Sequence, residues 1–213
     1  MKQRLVILGT RAYAEEVADL VADTGQFELV AFGENWERKR AGGELLGLPI
    51  VWVGDLAPLA RDTQAVCAIG TTQRSQFVGE ARAMGFEFAR IRHPSARLSE
   101  TSSIGPGSIL SAGVIVAAHT RLGAHVIVNR GSLIGHHTEI SDCVTISPGA
   151  NIAGRVRIGA GSYIGMGAIV LDGITIGERA LVGAGALVTK DVPDRVQVMG
   201  VPARITRENV DGR

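Results

Sequence analysis

The segment LIGHHTEISDCVTISPGANIAGRVRI, residues 133–158, carries isoleucine at positions 134, 140, 146, 152 and 158. The spacing continues upstream through Val128, Leu122, Val116, Leu110, Ile104 and Leu98. It continues downstream through Ile164, Val170, Ile176, Val182 and Val188, so sixteen consecutive sixth positions are Leu, Ile or Val. A period of six matches neither the 3.6 of a helix nor the 2 of an alternating strand. It fits a parallel β-helix of triangular coils, three hexapeptides to a turn, with each aliphatic side chain pointing inward. The next residue is mostly small, as at Gly105, Gly123, Gly135, Gly159, Gly165, Gly177 and Gly183, with Leu171 an exception. That small residue is expected to let the chain turn each corner. Sixteen hexapeptides make about five coils, stacked about 4.8 Å apart as neighbouring strands are.

Residues 1–92 follow another pattern. RLVILG, FELVAFG, LPIVWV, QAVCAIG and FEFARIR read as strands; AYAEEVADLVAD, DLAPLARD and SQFVGEARAMG read as helices. Strands alternating with helices predict a small α/β, Rossmann-like domain with a mainly parallel sheet. The junction is RHPSARLSETS, which places the coil domain at 93–213. Gly9 closes the first strand just before a helix, where phosphate-cradling loops occur. GTRAYA is not G-x-G-x-x-G, and a tight strand-to-helix turn also explains this glycine.

Bulk composition narrows the function. Across 213 residues, 22 Lys and Arg balance 21 Asp and Glu, a net charge of +1 that gives no case for nucleic acid or an anionic membrane. Cys67 and Cys143 lie in different halves and form no metal or redox motif, as expected of free thiols in a reducing compartment. The N-terminus lacks a signal-peptide pattern and no apolar run could span a bilayer, so the expectation is a soluble cytoplasmic protein.

The coil register separates the paired histidines. Adding eighteen moves one coil along the same face, so His119 should stack on His137, whereas Ala118 underlies His136. An imidazole titrates near neutral pH and suits general-base work. His136 is therefore the candidate base, with His137 and His119 as its support. A zinc site of the carbonic-anhydrase kind, using His119, His125 and His136 or His137, is a second reading. A non-catalytic nucleotide-binding scaffold is a third.

A small α/β domain, a hexapeptide β-helix and the mid-helix GHH of VNRGSLIGHH together resemble the PglD/NeuD-like sugar acetyltransferases. The resemblance spans nearly the whole chain and is strongest from Asn129 to Arg204. It implies a left-handed β-helix, a homotrimer, and acetyl-CoA in the cleft between neighbouring β-helices, with no metal. The implied reaction moves acetyl onto the amine of a nucleotide-linked 4-amino-4,6-dideoxy sugar; a sialic acid-type hydroxyl is the alternative acceptor. His136 matches the family's base. The family commonly has Asp or Glu next; here His137 stands there, so His137, Glu139 or Asp142 is left to support the base. The resemblance assigns Thr145, Gly154, Met166, Ala184 and Arg204 to CoA, with the Gly154 N–H holding the acetyl oxygen. It assigns Asn129 to the acceptor amine. Gly9, Thr10 and Arg11 stand at the family's phosphate loop, Glu34 and Asn35 at its acidic pair, and Gly70 at a third strand-end glycine.

Overall fold

The structure is a computed structural model that describes residues 2–213. The described chain divides into two compact units, one of residues 2–70 and 74–91, the other of residues 71–73 and 92–213.

The first unit is built on β1 (Gln3–Leu8), whose last four residues are all buried, as a strand covered on both faces requires. α1 (Ala12–Thr24) buries Ala14, Val17, Ala18, Leu20 and Val21 and ends at Gly25, whose left-handed φ of 65° lets its N–H reach Ala22 O. β2 (Phe27–Glu34), β3 (Glu44–Leu45), β4 (Leu48–Trp52) and β5 (Thr63–Cys67) complete a sheet of order β3-β4-β2-β1-β5. β1 pairs in parallel with both β2 and β5, so successive crossovers leave it on opposite sides. That reversal opens a crevice at the carboxyl ends of β1 and β5, where ligands of open α/β sheets settle. α2 (Ser75–Ala83) packs Phe77, Val78 and Ala81 into the same core.

Two expected elements differ. DLAPLARD is not a helix but part of two short 3-10 turns, Val53–Asp55 and Ala57–Leu59. Pro58 lacks the N–H that a longer helix would need. FEFARIR keeps only a single parallel bridge from Phe88 to Ala65 and the two-residue strand Ile91–Arg92.

The second unit is a stack of parallel two-residue strands in three ladders. One face carries Arg97–Leu98, Ile115–Val116, Leu133–Ile134, Asn151–Ile152, Ile169–Val170 and Leu187–Val188. The next carries Ser103–Ile104 through Glu139–Ile140 to Thr175–Ile176, and the third Ile109–Leu110 through Thr145–Ile146 to Leu181–Val182 and Gln197–Met199. Register is eighteen residues per coil, as in Ile134↔Ile152, and shortens to sixteen at Val182↔Val198. The inward aliphatics form one continuous core, with Leu98 and Ile104 partly buried at one end.

The corners correct one expectation. The left-handed residue is not the first after each aliphatic but the third: His119, His125, His137, Cys143, Arg155 and Arg179 have φ of 52–58°, and glycines fill most equivalent places. The first position is small for another reason. A Cβ at Gly135 would lie 2.4 Å from the backbone of Ala153 in the next coil.

Candidate active site

His136 and His137 follow the strand Leu133–Ile134, on the edge between the first two faces. His137 has φ of 56°, a conformation histidine adopts more readily than most residues. This turn sends the two rings different ways from adjacent positions. Their planes are nearly perpendicular, at 85°, and their Nδ1 atoms lie 3.1 Å apart. On its other side His137 packs against His119, ring centroids 4.7 Å apart, as the coil register requires. The two carboxylates that could have supported the base are engaged elsewhere. Glu139 faces Arg121 and Arg157, and Asp142 accepts the N–H of Ala124 at 2.7 Å.

One coil further along the edge is Gly154. A Cβ there would meet His136 Cε1 and Nε2 at 2.7 Å and Asp172 Oδ1 at 2.9 Å. The edge of the imidazole that carries Cε1 and Nε2 therefore lies against the glycine. Asp172, two coils from His136 on the same edge, reaches towards the same point while its Oδ2 accepts from Arg155. Neither Asp172 nor Arg155 was identified in the sequence, although walking the register two coils from His136 leads to Asp172.

The remaining coil residues lie elsewhere. Met166 and Ala184 follow strands of the third face, on the opposite margin of the first face from His136. They share a cavity of about 220 Å³ with Tyr163, Leu181, Gln197 and Arg213. Arg213 donates to the Tyr163 hydroxyl at 2.6 Å and lies 4.9 Å over its ring. Arg204 is exposed and lines a second cavity, of about 240 Å³, with Lys190. Asn129, on the same margin as Met166, is buried, with its side-chain amide donating to Ile146 O at 3.1 Å. Thr145 sits on the third face, across the prism from the His136 edge, and is only 2% exposed.

In the α/β unit, Gly9 ends β1 with φ of 133°, and a Cβ there would come within 3.0 Å of Ala68 O. Only glycine fits so close to β5. Thr10 follows, buried, and its hydroxyl donates to Glu34 Oε2. Glu34 Oε1 accepts the N–H groups of Trp36 at 2.7 Å and Glu37 at 3.0 Å. Burial raises the Glu34 pKa, but the Thr10 hydroxyl, those two N–H groups and the Arg11 charge outweigh it and hold it below its ordinary value. Arg40, missed in the sequence, binds Thr10 O at 2.6 Å and stands 3.6 Å from Glu34; its signal was the basic run Arg38–Lys39–Arg40. Arg11 pairs with Glu37 at 2.8 Å, and Asn35 donates to Glu80 at 3.1 Å. Gly70 lies beside the Tyr13 ring. Glu34 and Asn35 are thus tied to protein partners rather than open as an acidic pair. What the crevice presents is Arg11, Arg40 and Trp36, the last 82% exposed.

The three histidines of the zinc reading do not converge: His125 is 3% exposed and sits at a different corner from His119 and His137. Among the described residues, no group of three or more His, Cys, Asp or Glu is arranged to hold a metal ion. Nor is any helix among them long and apolar enough to cross a membrane.

A family profile described as bacterial transferase hexapeptide (six repeats) matches residues 155–190. No curated protein sequence gives a significant match. Solved structures do. A histidine-to-asparagine mutant of perosamine N-acetyltransferase from Caulobacter crescentus, in complex with CoA and GDP-perosamine, aligns with TM-score 0.88 and 31% identity, over 96% of this chain and 97% of that one. The acetyltransferase domain of PglB from Neisseria gonorrhoeae, in complex with acetyl coenzyme A, gives TM-score 0.88 and 32% identity over 96% and 100%. WeeI from Acinetobacter baumannii gives TM-score 0.86 and 28% identity over 96% and 100%.

Proposed function

The chain belongs to the hexapeptide-repeat sugar N-acetyltransferases of the left-handed β-helix class, and from that premise we propose that it moves the acetyl group of acetyl-CoA onto the amine of a nucleotide-linked amino sugar. The acceptor is of the 4-amino-4,6-dideoxy type. The relatives' ligands, GDP-perosamine and CoA or acetyl-CoA, support both halves of this reading.

The observation that carries it is the His136–His137 contact at 3.1 Å with His136 Nε2 lying against Gly154. A base needs a lone pair on Nε2. That selects the tautomer in which His136 Nδ1–H donates to His137 Nδ1. The acceptor nitrogen attacks the thioester carbon, and its proton passes to His136 Nε2. The C–S bond breaks, and the departing thiolate takes the proton from the imidazolium. Throughout, His137 accepts the Nδ1–H and so fixes the ring, as a carboxylate does in related dyads. The Gly154 N–H is assigned to the acetyl oxygen, where negative charge builds. No covalent intermediate is needed. Cys143 stands at another corner, and positioning with one proton transfer suffices.

Met166 and Ala184 are assigned to the pantetheine arm and Arg204, beside Lys190, to a phosphate. Met166 and Ala184 lie on the opposite margin of the first face from His136, whereas Lys190 continues the His136 register and shares its cavity with Arg204, so the reading has a neighbouring subunit bring Met166 and Ala184 to the base. The outward residues Ile115, Leu133 and Ile169 on that face are 40–44% exposed, with Asn151 between the last two, a largely apolar strip suited to such a neighbour. We therefore read the coil unit as about five coils in a homotrimer, and the α/β unit as a Rossmann-like acceptor domain, in a cytoplasmic enzyme. Arg11 and Arg40 there supply the positive charge for the nucleotide phosphates, in the crevice that Gly9, Thr10 and Gly70 line.

The test is direct. Purified protein, acetyl-CoA and a panel of nucleotide-linked amino sugars including GDP-perosamine should release CoA thiol and give an N-acetylated sugar by mass spectrometry. Absence of thiol release across the panel would contradict the reading.

A further inference from the structure

Asp172 and His136 converge on one point beside Gly154. Asp172 Oδ1 lies 2.9 Å, and His136 Nε2 2.7 Å, from the single point where a Gly154 Cβ would stand. Both atoms therefore flank the same small volume beside Gly154. The carboxylate is also aimed. Arg155 holds its other oxygen, which turns Oδ1 towards the glycine. Arg155 itself is fixed at a left-handed corner, φ 56°, with its N–H on His136 O at 2.8 Å, so the arginine and the base share a backbone link.

We propose that Asp172 is a catalytic residue that binds the acceptor amine through its positive charge and makes the site select amines over hydroxyls. The inference rests on the acetyltransferase reading above. An amino sugar reaches the enzyme largely as its ammonium form and gives one proton to water before it attacks. When its nitrogen bonds to the thioester carbon it becomes positive again, until His136 Nε2 takes the second proton and the C–S bond breaks. Asp172 neither gains nor loses a proton. It offsets charge on nitrogen at the two stages where charge is present, and a neutral hydroxyl draws no such benefit on binding.

The experiment compares wild type, Asp172→Asn and Asp172→Glu as full-length protein, each first checked for wild-type sedimentation. Steady-state rates are taken with GDP-perosamine, and the corresponding 4-hydroxy GDP-sugar serves as an uncharged competitor. Asp172→Asn should lower kcat/KM for the amine by about 10- to 100-fold, the loss expected for one charge-assisted contact. CoA affinity by calorimetry should not change, and the hydroxyl competitor should bind as before. Asp172→Glu should recover part of the rate. An unchanged kcat/KM in Asp172→Asn would reduce the Asp172–Arg155 pair to a surface ion pair. Weakened CoA binding would place the carboxylate on the thioester arm, and equal weakening of the hydroxyl competitor would remove the charge argument. Each of these overturns the proposal while the enzyme remains an acetyltransferase. A wild type that acetylates no amine would overturn the functional reading itself, and this inference with it.

Discussion

The imidazole of His136 occupies the space that any side chain at Gly154 would need, with Cε1 and Nε2 both 2.7 Å from the position of a Cβ. The atoms in the way belong to the far end of a rotatable side chain, so an added methyl can be accommodated by swinging the ring. Gly154→Ala should therefore fold with little change in Tm yet lose about 100-fold in kcat, the scale set by a displacement of about 1 Å. Activity and Tm measured on one preparation check this. An active variant would mean that the ring position does not matter.

His137 combines a left-handed backbone with a contact to His136 Nδ1, and the two roles can be separated. His137→Gly relieves the backbone at φ 56° but removes the ring. Stability should stay within about 1 kcal/mol of wild type, while kcat falls about 10-fold or more. His137→Asp should preserve or raise kcat, because a carboxylate stabilises the imidazolium better than a neutral ring does. Denaturation curves and kcat values for both variants decide the matter.

Glu34 makes the α/β unit sensitive to acid. Its folded pKa is held below its ordinary value by Thr10, two backbone N–H groups and Arg11, despite burial. A carboxylate depressed in this way adds stability that is complete above its unfolded pKa of about 4.3 and is lost as pH falls through the folded value. Wild type should therefore be more stable than Glu34→Gln at pH 7, with the gap closing below about pH 4. Thermal melts of both proteins across this range provide the measurement. A gap independent of pH would show that Glu34 acts only by its shape.

Much of this was legible because the coil imposes one rule on every sixth residue. Sixteen aliphatic positions specify the prism, and the register of eighteen sets His119 against His137, as the structure has them. What that rule left hidden was the reason for each small residue. The position after the aliphatic is small because coils pack closely, as at Gly135, and the bend itself falls two residues later, as at His137. Thr145 entered through the resemblance rather than through the register, and its burial is visible only in the folded chain. Asp172 and Arg40 escaped for a simpler reason. An exposed carboxylate in a loop and an arginine in a basic run have no pattern of their own, and they acquire meaning only beside His136 and Thr10. In the α/β unit, DLAPLARD had helical composition, yet Pro58 and the lack of a longer apolar face left it as two tight turns.

The central claim is that His136 is the base that takes the acceptor's proton, and the sharpest measurement is the turnover of His136→Ala with acetyl-CoA and the nucleotide-linked amino sugar that the wild type acetylates best. The account predicts a loss of kcat of about 100-fold or more, the scale of one positioned general base. CoA affinity should be unchanged, and the acidic limb of the kcat/KM profile should disappear. Turnover close to wild type in a folded His136→Ala, alongside an inactive His137→Ala, would contradict it and move the base to the neighbouring ring.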